Sequence, residues 1–96
     1  MIKIKAKRVS GLRGNMFSKK IENIYFETRF GVHTFFVKKP LLVLILDKDS
    51  IVRRKKILKP WRILFWPFKY KRVVELPAVF DQKIKKGGKV SISFKN

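Results

Sequence analysis

Between Lys48 and Arg72 the chain places ten cations, Lys48, Arg53, Arg54, Lys55, Lys56, Lys59, Arg62, Lys69, Lys71 and Arg72, against one acid, Asp49. The chemistry open to such a cluster is neutralisation of a polyanion. Each phosphate that a Lys or Arg contacts releases counterions, so affinity falls with salt at a log–log slope of about −0.7 to −0.9 per contact. Trp61, Trp66 and Tyr70 are interleaved with these cations, and aromatic rings can stack on unpaired bases for about 1–3 kcal/mol each. A second basic group, Lys3, Lys5, Lys7 and Arg8, opens the chain. The plainer reading makes the lysines a solubilising coat and the tryptophans core. A solubilising coat normally mixes both signs, so the cations read as nucleic-acid contacts. For Trp61 and Trp66, core packing stands beside stacking as the simpler role.

Little else in the chain suits catalysis. Without cysteine there is no disulfide, thiolate metal site or thiol chemistry, and the single histidine, His33, cannot build a His-rich metal cage. A lone His close to Phe35 and Phe36 is more often a packed or capping residue than an acid–base group. No Ser–His–Asp set or carboxylate pair is legible. Asp47 and Asp49 could offer oxygens to a metal, but an Asp-Lys-Asp-Ser sequence more simply makes a turn. Gly87-Gly88 follows a helix candidate, which suits a helix stop better than a phosphate cradle. The expectation is a non-enzymatic protein with no cofactor and no metal.

The elements that must carry these residues are short. Pro40 is followed by six apolar residues, Leu41 to Leu46, the pattern of a strand buried on both faces. Asp47 to Ser50 turns that strand into Ile51–Leu58, which carries the four consecutive cations Arg53 to Lys56. In a strand Arg53 and Lys55 would face away from Arg54 and Lys56, so this strand should project beyond the core or lie at an edge. Ile2, Ile4 and Ala6 alternate with Lys3, Lys5 and Lys7, a half-buried strand with a basic outer face. Glycines at 11 and 14 break it, with a short helical piece reaching Lys20. Further strands are expected at Asn23–Glu27, Val32–Lys38, Lys71–Leu76 and Val90–Phe94. Pro67 interrupts the aromatic window Trp61–Phe68. Pro77 to Gly87 is the best helix candidate, with proline in its first turn and lysines in its last.

Arg13-Gly14-Asn15-Met16-Phe17, Tyr25-Phe26, His33-Thr34-Phe35-Phe36, Leu46 to Val52, Glu75-Leu76-Pro77 and Ile84-Lys85-Lys86-Gly87 occur in an order and spacing that resembles the family called "domain of unknown function 192". The resemblance runs from about Ile4 to Ile92. It implies an all-β, jelly-roll-like domain with a short helix after Glu-Leu-Pro, and leaves the biochemical role unassigned. Two departures stand out. Leu42 and Gly88 occupy positions where members commonly carry Asp, which argues against an inherited small-molecule pocket.

Ninety-six residues with 46% hydrophobic content make one domain, 1–96. Twenty-five Lys and Arg against six Asp and Glu give a net charge of +19, a self-repulsion that a neighbouring polyanion would relieve. The expected fold is all-β and mainly antiparallel, a small jelly-roll-like barrel or sandwich with one short helix. The expected function is RNA binding, most concretely as a ribosomal or ribosome-associated accessory protein bridging rRNA phosphates beside ribosomal proteins. No signal core or apolar span is visible, so a cytoplasmic protein without a membrane span is expected. A small-molecule ligand is not expected. The alternatives are a small-ligand-binding or hydrolytic β-barrel using His33 and Asp47, and a peripheral membrane-surface protein using Trp61, Leu64, Phe65, Trp66 and Phe68.

Overall fold

The structure, a computed structural model, describes residues 2–9, 23–28, 32–33, 39–66 and 69–94. Its strands are β1 (Ile2–Arg8), β2 (Ile24–Glu27), β3 (Val32–His33), β4 (Leu41–Leu46), β5 (Val52–Leu58), β6 (Ile63–Leu64), β7 (Arg72–Pro77) and β8 (Val90–Phe94), with a 3-10 helix at Ala78–Lys83. Six of them form one sheet in the order β5-β4-β7-β2-β1-β8, while β3 and β6 pair as a separate ribbon. This is the expected small all-β fold. The β4–β5, β4–β7 and β2–β7 ladders are antiparallel, but β1 runs parallel to both its neighbours, β2 and β8.

The two outer strands of the sheet meet. An antiparallel bridge joins Ile51 to Lys89, the Val52 N–H donates to the Gly88 carbonyl at 2.9 Å, and the Gly87 N–H donates to Val52 at 2.7 Å. The Val90 N–H completes the seam on the Ser50 carbonyl at 2.9 Å. The sheet therefore curls into a six-stranded barrel that is sealed at one end, while residues 53–58 of β5 stay at the end of the strand order beyond the seam.

β4 is the centre of both packing layers. Leu42, Leu44 and Leu46 point into the barrel with Ile4, Ala6, Tyr25, Val52, Val74, Leu76, Ile84 and Val90. Leu41, Val43 and Ile45 point outward against Ile24, Phe26, Leu58, Val73 and Trp66, with Leu64 and Tyr70 at the margin. All six side chains are fully buried, each contributing about 1.5–3 kcal/mol of transfer free energy. The β6 segment thus forms a second layer over one wall of the barrel.

The expected helix over Pro77–Gly87 is shorter than its pattern suggests. Pro77 is still in the β7 ladder opposite Leu41, and Ile84 is already extended. Only Ala78–Lys83 coils, because the chain must reach the seam at Gly87 and Gly88 within a few residues. Gly87 takes φ +87°, as a turn there needs, but serves the seam instead of ending an α-helix. The helical piece expected up to Lys20, and the part of the Val32–Lys38 strand beyond His33, lie outside the described residues. Leu44→Ala should lower stability by about 2–5 kcal/mol in urea denaturation, since it removes atoms from a barrel interior that cannot collapse around the gap.

Candidate nucleic-acid interface

Where the few acids go determines where the positive charge is left. Asp47 closes the β4–β5 turn. One of its oxygens accepts the N–H groups of Asp49 (2.8 Å) and Ile51 (3.0 Å), and the other accepts Arg53 Nε at 2.7 Å. Burial pushes this carboxyl up, but the Ile51 N–H, the Arg53 guanidinium and the Asp49 N–H more than offset it, and the group sits below the usual carboxylate range. Glu27 accepts the Tyr25 hydroxyl at 2.8 Å and pairs with Arg8 and Lys71, each at 3.5 Å. That hydroxyl bond, with the Lys71 and Arg8 charges, holds Glu27 below its ordinary value against partial burial. Asp81 pairs with Lys55 at 3.0 Å, and Glu75 is buried in β7. Among the described acids only Asp49 is exposed on a turn.

Several predicted nucleic-acid contacts turn out to be parts of the scaffold. Lys55 faces the barrel side of β5, and its ammonium donates to the carbonyls of Asp81 (3.0 Å) and Ile84 (2.9 Å) as well as to the Asp81 carboxylate. All three of its N–H donors are used in tying the 3-10 segment to β5. Arg72 is spent in the same way. It donates from Nε to the Tyr25 hydroxyl at 3.0 Å and from one terminal nitrogen to the Asp47 carbonyl and Ser50 Oγ at 3.2 and 2.8 Å. Burial pushes the Tyr25 phenol up, although the bond from Arg72 opposes it. Arg8 leaves the face of Lys3, Lys5 and Lys7 and lies over the Tyr25 and Phe94 rings at 5.7 and 5.8 Å.

The remaining cations face outward in two groups. On a wall that no described residue covers with a second layer, Lys3, Lys5 and Lys7 line the exposed side of β1, with Ser91 and Ser93 of β8 opposite Lys3 and Lys5 and exposed Lys89 at the seam. β5 is the first strand of the sheet, so the expected edge position is found, but a bulge between Ile45 and Leu46 alters the simple alternation. Arg54 and Lys56 therefore lie opposite Ile45 and Val43 and are exposed beside the second layer, while Arg53 is held by Asp47. Lys59, Arg62 and Lys69 are exposed around β6, and Lys71 is exposed beside Glu27.

The aromatic residues separate in the same manner. Trp66 is only 7% exposed and donates its indole N–H to the Tyr70 carbonyl at 2.7 Å, so it is second-layer core and not a stacking surface. Tyr70 is half-buried against that layer with Lys69 over its ring at 5.2 Å. Trp61 is 56% exposed, and it is joined by Ile63 (52%) and Phe65 (68%), which the sequence reading did not place in the interface. Ile63, Leu64, Phe65 and Trp66 are all apolar, so nothing in the sequence marks which of them face outward.

His33 lies opposite Ile63 in the β3–β6 ribbon, and its side chain lies outside the described residues. A shallow cleft of about 290 Å³ is lined by Ile2, Ile84, Gly88, Val90 and three lysines, 83, 85 and 89, with neither Asp47 nor any other acid. Leu42 is fully buried inside the barrel. At Gly88 an added Cβ would come within 3.1 Å of the Lys85 carbonyl oxygen. Among the described residues no cluster of His, Cys, Asp and Glu could hold a metal ion, and no helix is long and apolar enough to cross a membrane.

Fold and surface together define a small, strongly basic β-barrel protein with a half-covered outer wall. The chain is 38% identical over 69 residues to a protein of Pyrococcus abyssi described as a UPF0127 protein, a likeness that covers 68% of this chain and 59% of that relative. It thus spans less than two thirds of the relative's length, and its kinship is with an uncharacterised family. No family model and no solved structure matches the chain.

Two expected outcomes separate scaffold from surface. Lys55→Met should cost about 1.5–3 kcal/mol by urea denaturation, as it removes charge-assisted bonds, whereas the neighbouring Lys56→Met should stay within about 0.5 kcal/mol. Because the folded pKa of Asp47 is depressed, its contribution is complete above the ordinary carboxylate pKa and is lost as pH falls through the folded value. Asp47→Asn should therefore lower stability by about 1–3 kcal/mol at neutral pH. Its deficit against the native protein should shrink below about pH 4, as a pH series of denaturation midpoints would read.

Proposed function

We propose that this protein binds RNA through its uncovered barrel wall and the outward cations of β5, ribosomal RNA being the most fitting partner. It acts as a non-enzymatic accessory of the ribosome. We place it in the "domain of unknown function 192" family, a reading supported by the ordered motif set and the likeness to an uncharacterised family. The observation that carries the functional reading is the disposition of charge. Nearly every described acid is committed to an internal contact, which leaves Lys3, Lys5, Lys7, Lys89, Arg54 and Lys56 facing outward on a rigid frame.

The frame suits a phosphate chain. Successive outward lysines on β1 are spaced by two residues, about 6.6–6.8 Å along the strand, and the ladder to β8 holds residues 2–6 while that to β2 holds Lys7 and Arg8, so their spacing is set before binding. Ser91 and Ser93 set hydroxyl donors beside Lys3 and Lys5, and Ser joins Lys and Arg among the side chains that contact phosphate oxygens. A surface of this kind recognises RNA shape and backbone more than base sequence. The hydrolytic reading is disfavoured because both carboxylate oxygens of Asp47 are already taken, by the Asp49 and Ile51 N–H groups and by Arg53.

The test is a salt titration of rRNA binding, together with sedimentation of the protein with ribosomes. Replacing Lys3, Lys5 and Lys7 together by Gln should reduce the log–log salt slope by about 2–3 if each contacts one phosphate, with co-sedimentation weakened. A native slope near zero, or a triple variant that binds like the native protein, would sink the proposal.

A further inference from the structure

We infer that the β6 ribbon is a stacking platform for unpaired bases, so that the RNA this protein takes is single-stranded where it meets Trp61, Ile63 and Phe65. This deepens the RNA reading and rests on it. Leu64 and Trp66 are drawn inward by the second layer, which turns Ile63 and Phe65 outward. Trp61, in the turn after Pro60 that leads into β6, is exposed as well. Three large apolar side chains, each more than half exposed, lie within five consecutive residues.

Backbone geometry points to the same place independently. Trp61 adopts φ +62°, the left-handed region, which costs an L residue about 1–2 kcal/mol. The indole itself is 56% exposed. Strain of this kind persists where a surrounding structure enforces it, and it clusters at ligand-binding sites. Here it presents the largest ring in the chain to solvent.

The chemistry of the occupant follows from what is mixed into the stripe. Lys59 and Arg62 flank Trp61 in the chain, Lys69 follows on the same segment and Lys56 stands on neighbouring β5, all exposed. Arg62 lies between Trp61 and Ile63, with its guanidinium 3.5 Å from the Pro60 and Trp61 carbonyls. Rings and cations alternating at this scale match a polymer that alternates bases with phosphates. An anionic bilayer surface also takes rings flanked by snorkelling cations, and the vesicle arm of the experiment below separates that occupant from RNA. In duplex RNA the bases are already stacked on one another, so the platform selects unpaired segments.

The experiment compares binding of an oligo-uridylate of about twelve nucleotides, within the range a single-strand groove covers, with an RNA duplex of the same length and with anionic phosphatidylglycerol vesicles. Trp61→Ala and Phe65→Ala should each weaken oligo-uridylate binding about 5- to 150-fold, the equivalent of one lost stacked base. Duplex affinity should change by less than about threefold, since phosphate contacts remain. Oligo-uridylate should also quench tryptophan emission in the native protein but not in Trp61→Ala. The inference is overturned if both variants bind oligo-uridylate like the native protein while RNA binding persists. It is equally overturned if vesicles shift the Trp61 emission and oligo-uridylate does not. If neither RNA binds at low salt, the RNA reading itself falls.

Discussion

A strand that is apolar at every position has to be covered twice, and that requirement shapes this molecule. Leu41 to Leu46 leave no polar face to turn to water, so β4 needs a barrel on one side and a second layer on the other. The barrel supplies the first through closure at Ile51 and Lys89. The second comes from the segment after Pro60, where Trp66 fits over Val43 and Ile45 and fixes its indole N–H on Tyr70. Because β4, β7 and β2 share that covered wall, β1 and β8 are left bare, and the basic face of β1 becomes surface by consequence of packing elsewhere.

Closure also dictates the use of charge. The β4–β5 turn must be rigid enough for Ser50 and Val52 to hold the seam, and Asp47 makes it so by binding two backbone N–H groups and Arg53. Arg72 then locks the turn from β7 while bonding the Tyr25 hydroxyl from inside the barrel mouth. Each acid that serves such a contact is withdrawn from the surface. Of the five described acids, Asp47, Glu75 and Asp81 are held in the scaffold and Glu27 is paired with Arg8 and Lys71, so the outward field is dominated by cations.

The parts of this design that could be read from the sequence are those governed by local periodicity. The six-residue apolar run, the Asp-Lys-Asp-Ser turn, the alternation of β1 and β8 and the edge position of β5 all follow from neighbours in the chain. The roles of Lys55, Arg72 and Arg8 do not. Lys55 is structural because Asp81 and Ile84, remote in sequence, arrive beside it, and Arg72 is structural because Tyr25, 47 residues earlier, lies on the neighbouring strand of the sheet. The parallel pairing of β1 with β8 joins the two ends of the described chain and leaves no local mark. Likewise Trp61 and Trp66 are equivalent as letters, and only the position of the second layer decides which is core.

Two non-glycine residues take the left-handed backbone, Ser50 and Trp61, and their contrast sharpens the division between scaffold and surface. At Ser50 the conformation aims the carbonyl at the Val90 N–H and the hydroxyl at Arg72, so the strain is offset by closure of the barrel. The same conformation at Trp61 puts a ring where water covers more than half of it. A turn after Pro60 could be made more cheaply by Asn or Gly, which tolerate this region. At Trp61 the left-handed backbone sets an exposed indole between the exposed cations Lys59 and Arg62, the placement that base stacking uses.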